Sequence, residues 1–169
     1  ALTTQRNRIW SSETGFYEQT AACAPDSAKA WINLGLAYDR AGDFARAEAA
    51  LAQAVSTASR GDFEHDRYGT LHRAHTNLGM VCMKTGQLQR AAFHLTEALR
   101  LAPDHAPARA NMNTLILRCR ERAERFEASG DAARAADMFS LLIQIDPQSA
   151  PAYRAALRGL QSRRAGTSP

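Results

Sequence analysis

The chain repeats one helical pattern, and the best-preserved copy begins near Trp31. Trp31, Leu34 and Tyr38 lie three or four residues apart, so they share one face of a helix. Beside them, Gly35 removes a side chain where a second helix has to approach closely. A Gly-Asp pair then interrupts the helix, and a second stripe of small and apolar residues follows over residues 44–54. The pattern predicts two antiparallel helices joined by a short turn.

Two further copies follow downstream. Gly79 and Ala123 take the position of Gly35, at intervals of 44 residues, and the corresponding turns fall at Gly86 and Gly130. In the tetratricopeptide repeat family, which this pattern resembles, one helix pair takes about 34 residues. Roughly ten residues are therefore inserted in each interval.

The two insertions differ in character. Residues 56–70 contain several turn-forming residues and predict a longer loop, with a helical start over residues 64–68. In the third copy no helix breaker occurs between Pro107 and Ser129, which predicts a first helix of about 22 residues. We expect the far end of that helix, which carries Arg120 among mixed charges, to form a solvated or partner-binding surface.

The spacing Trp-x2-Leu-Gly-x2-Tyr, followed by Ala47 in the second helix, resembles the tetratricopeptide repeat family. The resemblance implies an all-α fold, in which helix-turn-helix units and flanking helices stack into a right-handed superhelix, an alpha-solenoid. It also implies a noncatalytic scaffold that binds a peptide or a protein segment in a concave groove.

We expect one domain over residues 1–169, because this length is within the range of a single domain. The predicted parts are an N-terminal flanking helix at 5–24, repeat 1 at 28–61, an inserted loop at 62–71, repeat 2 at 72–105, repeat 3 at 106–149, a C-terminal capping helix at 150–164 and a tail at 165–169.

The sequence carries no pattern of a catalytic or cofactor site. It has no Gly-rich phosphate loop, nucleophile elbow or His-Glu metalloprotease pattern, so we expect neither catalysis nor a cofactor. Cys23, Cys82 and Cys119 lie far apart and imply no disulfide framework. Cys82 and Cys119 fall at helix-packing positions, and we interpret both as small core residues.

Two histidines lie one turn apart on a predicted helix, His72 and His75, with His65 nearby. Zinc sites usually combine three or four ligands at tight spacing. No cysteine or carboxylate completes such a set, so we expect no metal site.

The family resemblance implies which residues face a ligand, since positions 2, 5, 6, 9, 12 and 13 of each first helix commonly line the groove. The predicted groove residues are Lys29, Asn33, Leu36, Arg40, Arg73, Asn77, Met80, Lys84 and Asn111.

Asparagine recurs at position 6, where Asn33, Asn77 and Asn111 could form a ladder that binds the backbone of an extended peptide. The alternative is that each asparagine helps to fix neighbouring helices. The family's clamp for carboxylate-terminal chaperone peptides requires particular cations and amides, of which only Asn77 is present. We therefore do not expect such a peptide as the ligand.

The net charge of +4 comes from residues 106–169, because acidic and basic residues balance in residues 1–105. The basic residues near the C-terminus include Arg154, Arg158, Arg163 and Arg164. We interpret them as the solvated surface of a capping helix. With no aromatic interleaving and no nucleic-acid motif, nucleic-acid binding is not expected.

Residues 2–25 show a second resemblance, to the junction before the tetratricopeptide tail of polytopic membrane O-mannosyltransferase-like proteins, which carry an Arg-Asn-x2-Trp segment there. This resemblance implies an alternative function, as the non-cytoplasmic tail of a membrane-anchored parent that positions a substrate. No apolar run approaches the roughly 20 residues of a membrane helix, so this chain is not expected to insert itself. Self-assembly, with a terminal helix docking in another copy's groove, is a third alternative. For the free-standing scaffold the expected compartment is the cytoplasm, and for the tail of a membrane-anchored parent it is the non-cytoplasmic side.

Overall fold

The computed structural model describes residues 12–60 and 69–165, with side chains through residue 162. Within these residues the chain forms eight helices and no strand, which confirms the all-α prediction. The helices are α1 (Glu13–Cys23), α2 (Ala28–Arg40), α3 (Phe44–Arg60), α4 (Thr70–Lys84), α5 (Leu88–Leu101), α6 (Ala106–Ala128), α7 (Ala132–Ile145) and α8 (Ala150–Ala165). None of these described helices has both the length and the hydrophobicity to cross a membrane.

The chain divides into two compact units, Ala1–Arg109 and Ala110–Pro169. The first unit holds helices α1 to α5 and the first turn of α6. The second holds the rest of α6 with α7 and α8. The predicted groove residues of α2 and α4 therefore belong to the first unit, and Asn111 belongs to the second.

Helices α2 and α3 form one tight pair in the first unit, and α4 and α5 form another. A Cβ added to Gly35 would lie 2.5 Å from Cγ of Leu51, and one added to Gly79 would lie 2.8 Å from Cγ of Leu95. Both leucines are fully buried. The close approach predicted at each glycine is confirmed, because a larger side chain at either position would overlap its partner helix.

The three predicted turns have the same backbone geometry. Gly42, Gly86 and Gly130 have φ between 77° and 78°, a conformation that L side chains rarely adopt. In each turn the next N–H donates to the carbonyl five residues back, as Asp43 does to Tyr38 at 2.9 Å. The glycine in each turn is therefore required by the backbone that ends the first helix of the pair.

The inserted segment between the two helix pairs differs from its prediction. Residues 56–60, whose composition predicted the start of a long loop, instead continue α3 to Arg60, within the bounds given for repeat 1, because no helix breaker precedes Gly61. Helix α4 begins at Thr70, two residues before the predicted start of repeat 2, after Gly69 in a left-handed conformation. The helical start predicted over residues 64–68 lies outside the described residues.

The N-terminal helix is also shorter than predicted. Instead of spanning 5–24, α1 begins at Glu13, because Ser12 has an extended backbone and its hydroxyl accepts a hydrogen bond from the N–H of Gly15 at 3.0 Å. Residues 5–11 lie outside the described part of the chain. So do residues 2–11, which carry most of the resemblance to the membrane-anchored proteins.

In the second unit, α6 extends over 23 residues, which confirms the long helix predicted there. Cys119 and Ala123 on this helix are fully buried. The sequence predicted that Arg120 would lie on a protruding surface of this helix, but its side chain is engaged within the protein. Its guanidinium donates to the Asp146 carboxylate at 2.7 Å and to the Tyr153 hydroxyl at 2.5 Å, so it ties α6 to the end of α7 and to α8.

Candidate functional site

Helices α2 and α4 each present a stripe with the same order of chemistry: a cation, an amide, an apolar side chain and a second cation. The members of each stripe lie at i, i+4, i+7 and i+11, so they share one helix face. We call these two stripes together the α2–α4 face, and its residues are Lys29, Asn33, Leu36, Arg40, Arg73, Asn77, Met80 and Lys84.

Two sets of contacts hold α2 and α4 side by side. The Lys84 ammonium on α4 donates to both carboxylate oxygens of Asp39 on α2, each at 2.7 Å. Near the other end of the helices, Ile32 of α2 packs in a buried cluster with Ala74 of α4 and Ala54 of α3. Since equivalent ends are joined, the two helices run parallel and in register. Each residue of one stripe therefore has its counterpart beside it on the other.

The amides of Asn33 and Asn77 occupy the middle of the α2–α4 face. Both residues are half-buried, and neither side chain has a hydrogen-bond partner among the described residues. No buried side-chain nitrogen or oxygen in this part of the chain lacks a partner, so these amide atoms are open to solvent. Each amide can offer one acceptor and two donor hydrogens to a ligand.

The apolar members of the face are also partly accessible. Leu36 and Met80 are both half-buried. One side of Leu36 packs against the cluster around Ile32, which leaves its remaining surface on the face. An unbranched methionine beside it can adjust its conformation to different apolar partners.

The cations at the C-terminal ends of the stripes are already engaged. Arg40 donates to the Glu13 carboxylate on α1, with Nε at 3.2 Å from Oε2, and this hydrogen bond raises the pKa of Arg40. Lys84 pairs with Asp39, whose side chain is only 8% exposed. This end of the face is therefore neutralised within the protein.

The cations at the N-terminal ends differ from these. Lys29 and Arg73 are exposed, and no carboxylate of the described residues lies within salt-bridge distance of either. They lie one turn before Asn33 and Asn77 on the same helix faces. This end of the α2–α4 face therefore combines free cations with free amides.

Asn111, the third member of the predicted ladder, is half-buried on α6 in the second unit. Its side chain also has no hydrogen-bond partner within the described residues. The ladder of three asparagines remains a prediction.

Sequence reasoning missed the contacts that the histidines make. His75 and His94 join α4 to α5, with their Nδ1 atoms 3.0 Å apart, and the ring of His72 lies against that of His105. Burial lowers the pKa of His94 to about 4. The 44-residue interval between repeats could have indicated the contact of His75, because it aligns His75 with Trp31 and so predicts a packed side chain at that position.

No group of three metal-ligating side chains occurs in the part of the chain that the structure describes. Within the described residues, no third metal-ligating side chain joins His75 and His94. Their Nδ1 atoms already share a hydrogen bond, so one of the two nitrogens must carry its proton.

Two models of the tetratricopeptide repeat match the chain, over residues 72–105 and residues 16–49. The first spans the same residues as the predicted repeat 2. The second begins within α1 and takes in all of α2. Among solved structures, the crystal structure of MamA is similar, with 19% sequence identity and a TM-score of 0.48; the match covers 87% of this chain and 79% of that one. No curated protein matches the chain.

Proposed function

Because this chain belongs to the tetratricopeptide repeat family, whose members are protein-interaction scaffolds, we propose that it binds an extended peptide segment across the α2–α4 face without catalysing a reaction. The observation that supports this proposal best is the pair of solvent-open amides, Asn33 and Asn77, at equivalent positions of two parallel helices. A structural role for both side chains would require partners within the protein. The described residues supply none.

The geometry suits a peptide that crosses the two helices. Neighbouring helix axes lie about 8–10 Å apart, and an extended chain advances about 3.3 Å per residue. Asn33 and Asn77 can therefore bind backbone groups of residues about three apart. An amide recognises backbone N–H and C=O without selecting a side chain. Specificity then has to come from the cations and apolar residues around the amides.

We expect the double substitution Asn33→Ala/Asn77→Ala to weaken peptide binding about 5- to 150-fold, because each substitution removes at least one hydrogen bond, which costs about 0.5–1.5 kcal/mol. The probe is a 12-residue peptide selected from a random phage-displayed library against the unmodified chain, then labelled with fluorescein. Fluorescence polarisation gives its dissociation constant for each variant.

Asn113→Ala is the matched control, since Asn113 is exposed on α6 and is not part of the α2–α4 face. It should leave the affinity unchanged. All variants should unfold at nearly the same temperature, because solvent-facing substitutions rarely change stability by more than about 0.5 kcal/mol. Undiminished binding by a folded double variant would refute the proposed function.

A further inference from the structure

Most of the cations described in the first unit form ion pairs with carboxylates, so the cations that do not are candidates for binding a ligand. Among its described residues, the paired cations are Arg40, Arg46, Lys84, Arg90, Arg100 and Arg109. Three of its described cations lack a carboxylate partner among the residues that the structure describes. Arg60 donates to the Ser56 carbonyl at the end of α3. The other two, Lys29 and Arg73, both lie on the α2–α4 face.

The two free cations lie at the same end of the face. The Asp39–Lys84 pair fixes α2 and α4 in parallel register, so Lys29 and Arg73 project from neighbouring helices about 8–10 Å apart. Neither helix has an acidic residue in its first turn. The partial positive charge of each helix N-terminus therefore adds to the side-chain charges. The opposite end of the face is neutralised by internal ion pairs.

We propose that the ligand of the α2–α4 face is an acidic peptide segment whose carboxylates bind Lys29 and Arg73, with an apolar side chain against Leu36 and Met80. This inference rests on the proposed function and adds the chemical class of the ligand. In an extended peptide, carboxylates two residues apart point to the same side and lie about 7 Å apart, and the long side chains of Lys29 and Arg73 can reach them from neighbouring helices about 8–10 Å apart. One peptide can thus reach both cations while its backbone contacts the asparagines.

A nucleic acid fits the face less well. Single-stranded nucleic acids bind through a groove of several cations together with aromatic side chains on which the bases stack. The α2–α4 face offers two free cations, and none of its eight residues is aromatic. An acidic peptide needs only the charges, the amides and the apolar contact that the face provides.

The test uses two fluorescein-labelled 12-residue peptides. In one, Asp and Leu alternate, so that an extended chain presents the carboxylates on one side and the leucines on the other. In the second, each Asp is replaced by Asn. We expect the full chain to bind the acidic peptide at least 10-fold more tightly at 50 mM salt, and this preference to shrink at 300 mM salt. The double variant Lys29→Gln/Arg73→Gln should lose the preference. Arg60→Gln is the matched control, because it removes a cation that also has no carboxylate partner among the described residues but is not on the α2–α4 face, and it should keep the preference.

The outcomes separate this inference from the proposed function. Suppose that Asn33→Ala/Asn77→Ala weakens the binding of both peptides, whereas Lys29→Gln/Arg73→Gln changes the binding of neither. The α2–α4 face would then bind peptides but not through their acidic groups, so the inference would fail and the proposed function would stand. If neither double variant changes binding, both proposals fail. Tighter binding of a 12-nucleotide oligothymidylate than of the acidic peptide would also overturn the inference.

Discussion

Replacing Leu95 with Ala is expected to lower the free energy of unfolding of the first unit by about 4 kcal/mol, towards the upper end for such substitutions. Leu95 on α5 is fully buried. It lies against Gly79 of α4, which has no side chain that could move into the cavity. The loss of stability depends on how far the surrounding atoms can move into the cavity, and the backbone of a glycine within a helix can move only a little.

Urea denaturation followed by circular dichroism, with hydrogen exchange of the α5 amides, measures this loss. The control is Leu117→Ala, since Leu117 is 56% exposed on α6 and should change stability by no more than about 0.5 kcal/mol. Equal effects of the two substitutions would show that the α4–α5 contact does not stabilise the unit as described.

The same contact predicts a coupling between Gly79 and Leu95. Gly79→Ala alone should cost about 1–3 kcal/mol, because the new methyl group overlaps the leucine side chain. When Leu95 is already replaced by Ala, the methyl group of Gly79→Ala fits into the cavity left by the leucine. The loss of stability caused by Gly79→Ala should then be smaller by at least about 1 kcal/mol. A double-mutant cycle in urea measures this interaction energy, and strict additivity would contradict the close contact.

The contact between Gly79 and Leu95 also shows why the helix pairs could be predicted from the sequence. A glycine amid large apolar residues at helical spacing has few explanations other than close helix packing. The turns were equally predictable. Glycine adopts a left-handed backbone without steric cost, so a glycine such as Gly42 between two helical patterns indicates the turn that ends the first helix. The burial of Cys82 followed from its place in the same helix pattern.

The ends of helices α1 and α3 were less predictable from the sequence, because capping residues and helix-breaking residues compete to set where a helix begins or ends. Helix α3 runs on to Arg60 since polar residues such as Ser59 do not stop a helix without a glycine or proline. Helix α1 starts at Glu13 because Ser12 caps it. In the sequence, Ser11 and Ser12 could equally have lain inside a longer helix.

The candidate site was predictable only as a list of positions. Helical spacing put Arg40 and Lys84 on the same stripes as Asn33 and Asn77. It could not show that Arg40 and Lys84 are engaged by residues far away in the chain, 27 and 45 positions distant. Which cations remain free for a ligand depends on tertiary contacts, and this is why the inferred preference for an acidic peptide required the structure.

Acidification from pH 7.5 to pH 5 is expected to lower the free energy of unfolding by about 1–2 kcal/mol through His94, since solvent near the half-buried ring screens part of the full effect. Its pKa is about 4 in the folded chain, mainly because burial disfavours the charged ring and secondarily because His75 and Arg90 are near. An unfolded histidine titrates near the ordinary value of 6.5. The stabilising contribution is therefore complete above pH 6.5 and is lost as the pH falls towards 4.

The charged groups around His75 and His94 do not reverse the expected loss of stability on acidification. His75 also has a lowered pKa, through burial and the charge of Arg100, although Glu97 opposes the shift. The Glu48 carboxylate raises the pKa of His94 only as the smallest of its influences. Because the pair shares one hydrogen bond between two Nδ1 atoms, protonating both of these nitrogens would break the contact between α4 and α5.

The variant His75→Trp/His94→Ala tests this expectation, because it copies Trp31 and Ala50, which hold the equivalent positions in α2 and α3. Urea denaturation at pH 7.5 and pH 5 should show that the variant loses most of the pH dependence, whereas His105→Gln keeps most of it. An NMR titration of the unmodified chain supplies a second measurement that does not depend on how well the variant folds. A His94 ring that titrates near pH 6.5 in the folded chain would contradict the prediction, since a ring with an ordinary pKa gives up no stability over this range.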